Sequence, residues 1–553
     1  MSAAAAASRS SPPNDPLVAR QWHLDAIGVA AVWPDYTGAG VLVAVIDDGV
    51  QADHPDLRAN YDPTHAHDYE FGVRNGGPVR AADNHGTAVA GLIAATAGNG
   101  IGGVGVAFGA EITSYRALFP SVRPSHEAAA FADARLVDVA SNSYGYAGPG
   151  AFFLDDFLGS PDFQAVGSAL EGAVRDGRGG LGTVFVFAAG NERESGDNVN
   201  YHNLANSRFT IVVAASERSG FVADYGNPGA ALLVTAPGGR GDIVTTDRSG
   251  PAGYGPGDAV ANFGGTSAAT PIVSGVVALM LEANPALGHR DVQEILAYSA
   301  RLTGDPSAYQ TNGARNWNGG GLHVSHDYGF GLVDARAAVR LAESWTAQST
   351  LANEASRTAA QDFGAAGRVI PDLDALRVGL AMPALRIDHV EATIDIGHPF
   401  VEDLVLTLIS PAGTRSVLVD RPPEGPRGSL GVSGAFSFSS ALHRGETAAG
   451  MWTLDVRDVN GADQGVLRGW TLTLYGDEPG PNDTYVYTDA YATIREAAGN
   501  APGRAVLRDG GGVDTLNAAA LTGDAVIDLR SGATSTIAGA PLAIAPATVI
   551  ENA

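Results

Sequence analysis

Between about residues 21 and 345, short apolar runs alternate with stretches whose apolar positions recur every three to four residues. Residues 41–46, 137–140, 183–188 and 211–215 are continuous runs rich in β-branched side chains and are predicted as strands. Residues 86–96, 163–175, 267–282 and 290–299 carry the helical period. A strand with no polar side must be buried on both faces. The alternation therefore predicts an α/β domain over residues 21–345, a parallel sheet covered by helices, behind an N-terminal extension of residues 1–20.

Beyond Trp345 the chain turns to Ser, Thr, Ala and Gln, and residues 346–365 read as a linker. From 366 to 476 the period changes to two, as in Leu404-Val405-Leu406-Thr407-Leu408 and Trp470-Thr471-Leu472-Thr473-Leu474-Tyr475. Turn clusters such as Ser410-Pro411-Ala412-Gly413 and Asn460-Gly461 separate these runs, the pattern of an all-β antiparallel sandwich. Residues 477–553 hold short apolar strands among Ala, Gly, Thr and Asp, a third β-rich segment that reads as truncated at Ala553.

Composition narrows the function classes. The chain has 553 residues, 45% of them apolar and 17% charged, enough to bury several cores and too apolar to be disordered. With 34 basic against 60 acidic residues the net charge is −26, which repels nucleic acid and anionic lipid and attracts divalent cations. There is no cysteine, so disulfides, iron–sulfur clusters and zinc–thiolate sites are excluded. The longest apolar stretch, 272–281, is too short to span a bilayer. Met1-Ser2 and the Ala run before Pro12-Pro13 do not form a secretory signal peptide.

Four motifs carry candidate chemistry. Val45-Ile46-Asp47-Asp48-Gly49 sets carboxylates at the carboxyl end of a buried strand, and Asn84-His85-Gly86-Thr87 sets an imidazole at a helix start. Gly264-Gly265-Thr266-Ser267-Ala268 sets a hydroxyl among small residues at another helix start, and Ala188-Ala189-Gly190-Asn191 follows a strand with a side-chain amide. Each alone is an ordinary turn or cap. Together they supply what acyl transfer requires: a nucleophile, a base, a carboxylate to orient the base, and a donor for the developing oxyanion.

With Gln21-Trp22-His23-Leu24, His54-Pro55-Asp56-Leu57, Gly177-Arg178-Gly179-Gly180-Leu181-Gly182 and Asp327-Tyr328-Gly329-Phe330-Gly331, these motifs resemble the subtilisin superfamily of serine endopeptidases, in its kexin/furin-like branch. The sandwich segment is similar to the P-domain that follows the catalytic domain there, through Asp403-Leu404-Val405-Leu406, Gly450-Met451-Trp452-Thr453-Leu454 and Gly469-Trp470-Thr471-Leu472. The resemblance implies Asp47 as orienting acid, His85 as base and then acid, Ser267 as nucleophile and Asn191 in the oxyanion hole. It implies Ca2+ held by Asp15, Asp56 and Asn99 with the carbonyls around Thr96, Ile101 and Gly103. Protein or peptide substrates would lie along Ser143, Tyr144 and Gly145. The residue before the scissile bond would enter a pocket walled by those three and by Ala188, Ala189 and Gly190.

Those wall residues carry no carboxylate, so a tolerant or apolar pocket is expected, with Asp48 favouring a basic residue one position earlier. Asp197 matches a metal-binding position of the branch better than a pocket floor. Asp509-Gly510-Gly511-Gly512-Val513-Asp514-Thr515-Leu516-Asn517 is close to one calcium-binding nonapeptide, and Val526-Ile527-Asp528-Leu529-Arg530 resembles the C-terminal region of serralysin-like proteins. That resemblance implies secretion to the extracellular side through an ABC-type exporter without an N-terminal signal peptide. A monomer with no nucleic-acid partner and no membrane span is expected. The rival expectation is a catalytically silent, calcium-binding surface scaffold.

Overall fold

Seven strands line up in one sheet, seen in a computed structural model that describes residues 13–118, 123–148, 150–497 and 503–553. Most of the expected extension 1–20, residues 1–12, lies outside the described residues. The spatial order is His67–Asp68, Glu111–Arg116, Leu42–Asp47, Val139–Asn142, Val184–Ala188, Thr210–Ser216 and Leu232–Pro237. Every pairing in it is parallel. Alternate side chains of the central strand serve two cores. Val43 and Val45 pack with helix Thr266–Ala283, while Ala44 and Ile46 join Phe131, Phe163 and Leu170 on helices Pro124–Asp133 and Pro161–Asp176.

Helix Thr266–Ala283 is apolar and long enough to cross a membrane, but it is buried in this core. Strand Leu42–Asp47 lies between strands reached in opposite directions along the sheet, Glu111–Arg116 and Val139–Asn142. Such a switch point opens a crevice at the carboxyl ends of the strands, and Asp47 stands there.

Two antiparallel sheets form the second unit. One runs Ala355–Asp362, Gly465–Asp477, Arg386–His398, Val432–Ser440, and the other Ala375–Met382, Gly450–Asp458, Leu404–Ile409, Arg415–Asp420. Trp452, Leu454, Leu472 and Leu474 are among the buried residues between them. Strand Ala355–Asp362 falls inside the stretch expected to be a linker and pairs along its whole length with Gly465–Asp477. Its Ala, Thr and Gln side chains alternate too weakly in polarity to announce it.

The sandwich rests on helix His289–Ser299, all of whose residues are buried, Arg290, Gln293 and Glu294 included. The Arg290 guanidinium donates to Asp388 at 2.5 and 2.9 Å and to Asp477 at 2.7 Å. Arg386 donates to Glu294 at 2.7 and 2.8 Å. The last segment has its own core of Tyr485, Tyr487, Tyr491, Leu516, Leu542 and Ile544. It is fastened to the first domain by Arg504, which donates to the carbonyls of Trp317, Asn318 and Gly321.

Candidate active site

His85 opens helix His85–Ala94. Its Nδ1–H donates to the Asp47 carboxylate, 2.9 Å from Oδ2 and 3.0 Å from Oδ1, and Asp47 is only 2% exposed. A Cβ on Gly86 would lie 2.6 Å from the Gly49 carbonyl and 3.0 Å from the Asp47 Cβ, so only glycine lets the helix start this close to the strand end. The imidazole leans on the Phe263 ring with centroids 5.4 Å apart. Burial lowers the His85 pKa, but the Asp47 carboxylate and then Asp48 more than compensate, raising it to about 9.

Asp48, the expected partner of a basic substrate residue, accepts from the first two amides of this helix, His85 N–H to Oδ2 at 3.1 Å and Gly86 N–H to Oδ1 at 2.7 Å. It is a carboxylate at a helix N-terminus, where the dipole favours it. Burial and Asp47 still push its carboxyl up to about 7.

Ser267 is in the first turn of helix Thr266–Ala283, whose leading N–H groups have no intrahelical acceptor. Its Oγ donates to the Ser143 carbonyl at 3.3 Å, and Ser143 Oγ returns a bond to the Ser267 carbonyl at 3.1 Å. No hydrogen bond joins Ser267 to His85 among the described residues. Contacts between a nucleophile and its base are often loose without substrate. Asn191 Oδ1 accepts from Thr266 N–H at 2.9 Å and Thr266 Oγ1 at 3.0 Å, which fixes the amide and leaves its Nδ2 without a partner among the described residues.

A pocket beside Ser267 is lined by residues from 143–147, by Ala188, Ala189, Gly190 and Asn191, and by Glu192, Asp155, Asp197 and His202. The expectation of an apolar pocket is corrected here: Asp155 and Asp197 are nearly inaccessible carboxylates in its lining. His202 sits between them, Nε2 at 2.9 Å from Asp197 and Nδ1 at 3.5 Å from Asp155. Burial opposes its protonation, but the bonds to Asp155 and Asp197 raise its pKa to about 10. One imidazolium faces three carboxylates, so the pocket keeps a negative surplus. Sequence reasoning missed Asp155 because it lies in irregular chain outside any motif.

Glu127 was missed as well. Buried below the 143–146 segment, it accepts the Tyr144 hydroxyl at 2.7 Å and the Tyr146 hydroxyl at 3.1 Å. Tyr144 therefore points into the protein, leaving its backbone toward the cleft. Burial pushes the Glu127 carboxyl up to about 8, against the pull of those two hydroxyls.

The residues expected to hold calcium come together. Asp15 accepts from Gly98 N–H at 2.7 Å and Gly100 N–H at 3.0 Å, while Asp56 accepts from Asn99 Nδ2 at 2.7 Å and its carbonyl accepts from Thr96 N–H at 2.9 Å. Asn99 Oδ1 accepts from Ile101 N–H at 2.9 Å, and a Cβ on Gly103 would strike Gln21. Asp56 Oδ2 and Thr96 Oγ1 are buried with no partner. Burial, reinforced by Asp15, pushes the Asp56 carboxyl up to about 6. Two acids, an orphaned carboxylate oxygen and an orphaned hydroxyl make a hard-oxygen set that fits calcium.

Comparison with known proteins agrees with this architecture. Residues 38–331 match the subtilase family and residues 387–474 match the proprotein convertase P-domain. Proprotein convertase subtilisin/kexin type 7 of Mus musculus is 35% identical over 508 residues, covering 86% of this chain and 63% of its own length. Furin of Homo sapiens is 33% identical, covering 84% and 58%. The chain thus spans about three-fifths of these relatives. The crystal structure of the serine protease of Aeromonas sobria superposes with a TM-score of 0.74 at 24% identity, over 86% of this chain and 99% of that one, and so shares the fold. The subtilase match alone takes in more than half of the residues, and the chain belongs to the subtilase family, with a P-domain after its subtilase domain.

Proposed function

We propose that the chain is a secreted, calcium-dependent serine endopeptidase. The observation that carries this reading is the Asp47–His85 pair at 2.9 Å, at the same sheet crevice as Ser267 and the free amide of Asn191. Ser267 Oγ attacks the scissile carbonyl and its proton passes to His85 Nε2. Asp47 holds Nδ1–H and stabilises the imidazolium without taking the proton. Negative charge on the carbonyl oxygen is met by Asn191 Nδ2 and the Ser267 N–H at the positive end of its helix. His85 gives the proton to the leaving amine, the acyl-enzyme remains, and water deacylates it by the same relay.

The substrate adds as an extended strand along Ser143–Gly145, with main-chain bonds supplying affinity. The residue before the cut enters the pocket of Asp155, Asp197 and Glu192. A peptide library is expected to be cut after Arg or Lys in preference to Leu, with the preference weakened in Asp197→Asn. Cleavage after aliphatic residues, indifferent to that change, would contradict the pocket reading.

The acid limb of kcat/KM reports the free enzyme's base, which must be neutral to act. Two carboxylates favour the His85 imidazolium, so the limb should lie above the ordinary histidine range. Asp48→Asn removes one of them and should move the limb to lower pH. A limb that stays in place would show that Asp48 does not act on His85.

Calcium, when bound, supplies positive charge that joins Asp15 to the Asp56 and 96–103 loops. Because the ion binds the folded chain, chelation should lower the melting temperature and speed autolysis. A melting curve unchanged in excess chelator would remove the site. For the last segment, the reading is a single calcium loop at 509–517, with Asp483, Asp509 and Asp514 converging, in a tail of the kind exported by ABC-type systems.

A further inference from the structure

The sandwich carries a cluster that the peptidase reading does not use. His398 ends strand Arg386–His398 in one sheet, Asp458 ends strand Gly450–Asp458 in the other, and Asp463 lies in the turn that follows. His398 Nε2 and one oxygen of each aspartate lie within 4.8 Å of one another. Nε2 is 3.3 Å from Asp458 Oδ2 and 3.4 Å from Asp463 Oδ1, and the His398 and Asp458 side chains are 0% exposed. Asp463 Oδ1 is buried with no hydrogen-bond partner.

The tautomer sharpens the conflict. His398 Nδ1 is 2.7 Å from the Phe400 carbonyl, a contact that an Nδ1–H makes favourable, while the Phe400 N–H is farther at 3.2 Å. With the proton on Nδ1, the Nε2 lone pair faces two carboxylate oxygens in a dry site. Something positive belongs among them. Asp403 is buried nearby, its Oδ1 accepting from Asn460 Nδ2 at 2.5 Å, and the Asn460 N–H reaches Asp458 Oδ1 at 3.3 Å. A proton on Nε2 would offset one of these charges and leave the rest.

Two features favour a metal over that proton. A tetrahedron with metal–ligand distances of about 2.0–2.1 Å has edges of about 3.3–3.4 Å, which are the two Nε2–oxygen separations here. A metal-bound histidine characteristically donates its other ring N–H to a carbonyl, and the Phe400 carbonyl 2.7 Å from His398 Nδ1 is placed to accept one. The chain also leaves room: a Cβ on Gly465 would lie 2.4 Å from His398 Cδ2. We propose that His398, Asp458 and Asp463 hold a divalent metal ion of the imidazole-accepting class, zinc first, which clamps the ends of the two sheets together. Calcium prefers an all-oxygen set and is the poorer fit.

The full chain, carrying Ser267→Ala to prevent autolysis, would be stripped with chelator and dialysed against Zn2+, with bound metal counted by mass spectrometry and melting followed with Zn2+, Mn2+ or Ca2+. One equivalent of zinc is expected to be lost in both His398→Gln and Asp463→Asn, together with the rise in melting temperature that zinc gives the parent. Asp463 is partly exposed, so its variant folds even if His398→Gln does not. Equal zinc binding in parent and Asp463→Asn, or stabilisation by Ca2+ alone, would overturn the proposal. Neither readout depends on peptidase activity, so this test and that of the proposed function fail separately.

Discussion

Replacing Ser267 by Ala is expected to abolish peptide hydrolysis and leave the fold intact. The side chain is small, lies in the first turn of helix Thr266–Ala283, and makes one long bond, to the Ser143 carbonyl at 3.3 Å. Alanine fits that space and favours the helix. The loss should be on the order of 10⁶ in kcat, a magnitude borrowed from subtilisin itself. Because Asp47, His85 and Ser267 act as a unit, adding His85→Ala to the first change should cost little more. Circular dichroism and the melting temperature of the variant should match the parent. Residual turnover within tenfold of the parent would remove Ser267 from the chemistry.

Arg290→Ala is expected to give the largest loss of stability, about 3–5 kcal/mol, because it takes the main partner from the buried Asp388 carboxylate. Asp388, buried, would lose its bonds at 2.5 and 2.9 Å, and the partly exposed Asp477 its bond at 2.7 Å. The Arg290 guanidinium and its two neighbours Arg386 and Arg444 hold the Asp388 carboxyl below the ordinary range despite burial. A double-mutant cycle with Asp388→Asn separates the pair from the packing, since the second change removes the stranded charge and should recover part of the loss. Urea unfolding measures it. Additive losses would show that the two groups are not coupled.

The parallel sheet was legible because buried parallel strands announce themselves as unbroken apolar runs, and the candidate motifs sit where those runs end. Asp47 follows the run 41–46, and Asn191 follows the run 183–188. Helix 289–299 was legible as a helix but its polar face was not legible as buried, since only the sandwich packed on it gives Arg290 and Glu294 their partners. Strand Ala355–Asp362 escaped because its alternation pits alanine against polar residues, and the ladder with Gly465–Asp477 makes it a strand. The pocket carboxylates and the His398 cluster escaped for a different reason. Asp155 and Asp197 both reach His202, and His398 meets Asp458, only after segments far apart in the chain pack against each other. One compositional fact gains meaning afterwards: all 34 basic residues are arginine and none is lysine. The buried networks at Arg116, Arg290 and Arg386 use the planar fork that lysine lacks.

The central claim is that Ser267 is a nucleophile activated by His85 and Asp47. The most direct measurement is labelling of the folded, calcium-loaded chain with a fluorophosphonate probe, followed by mass spectrometry of the modified peptide. One equivalent of label on Ser267, abolished in His85→Ala and slowed in Asp47→Asn, is the predicted result. A folded chain that takes no label, or takes it on serines other than Ser267, would contradict the account.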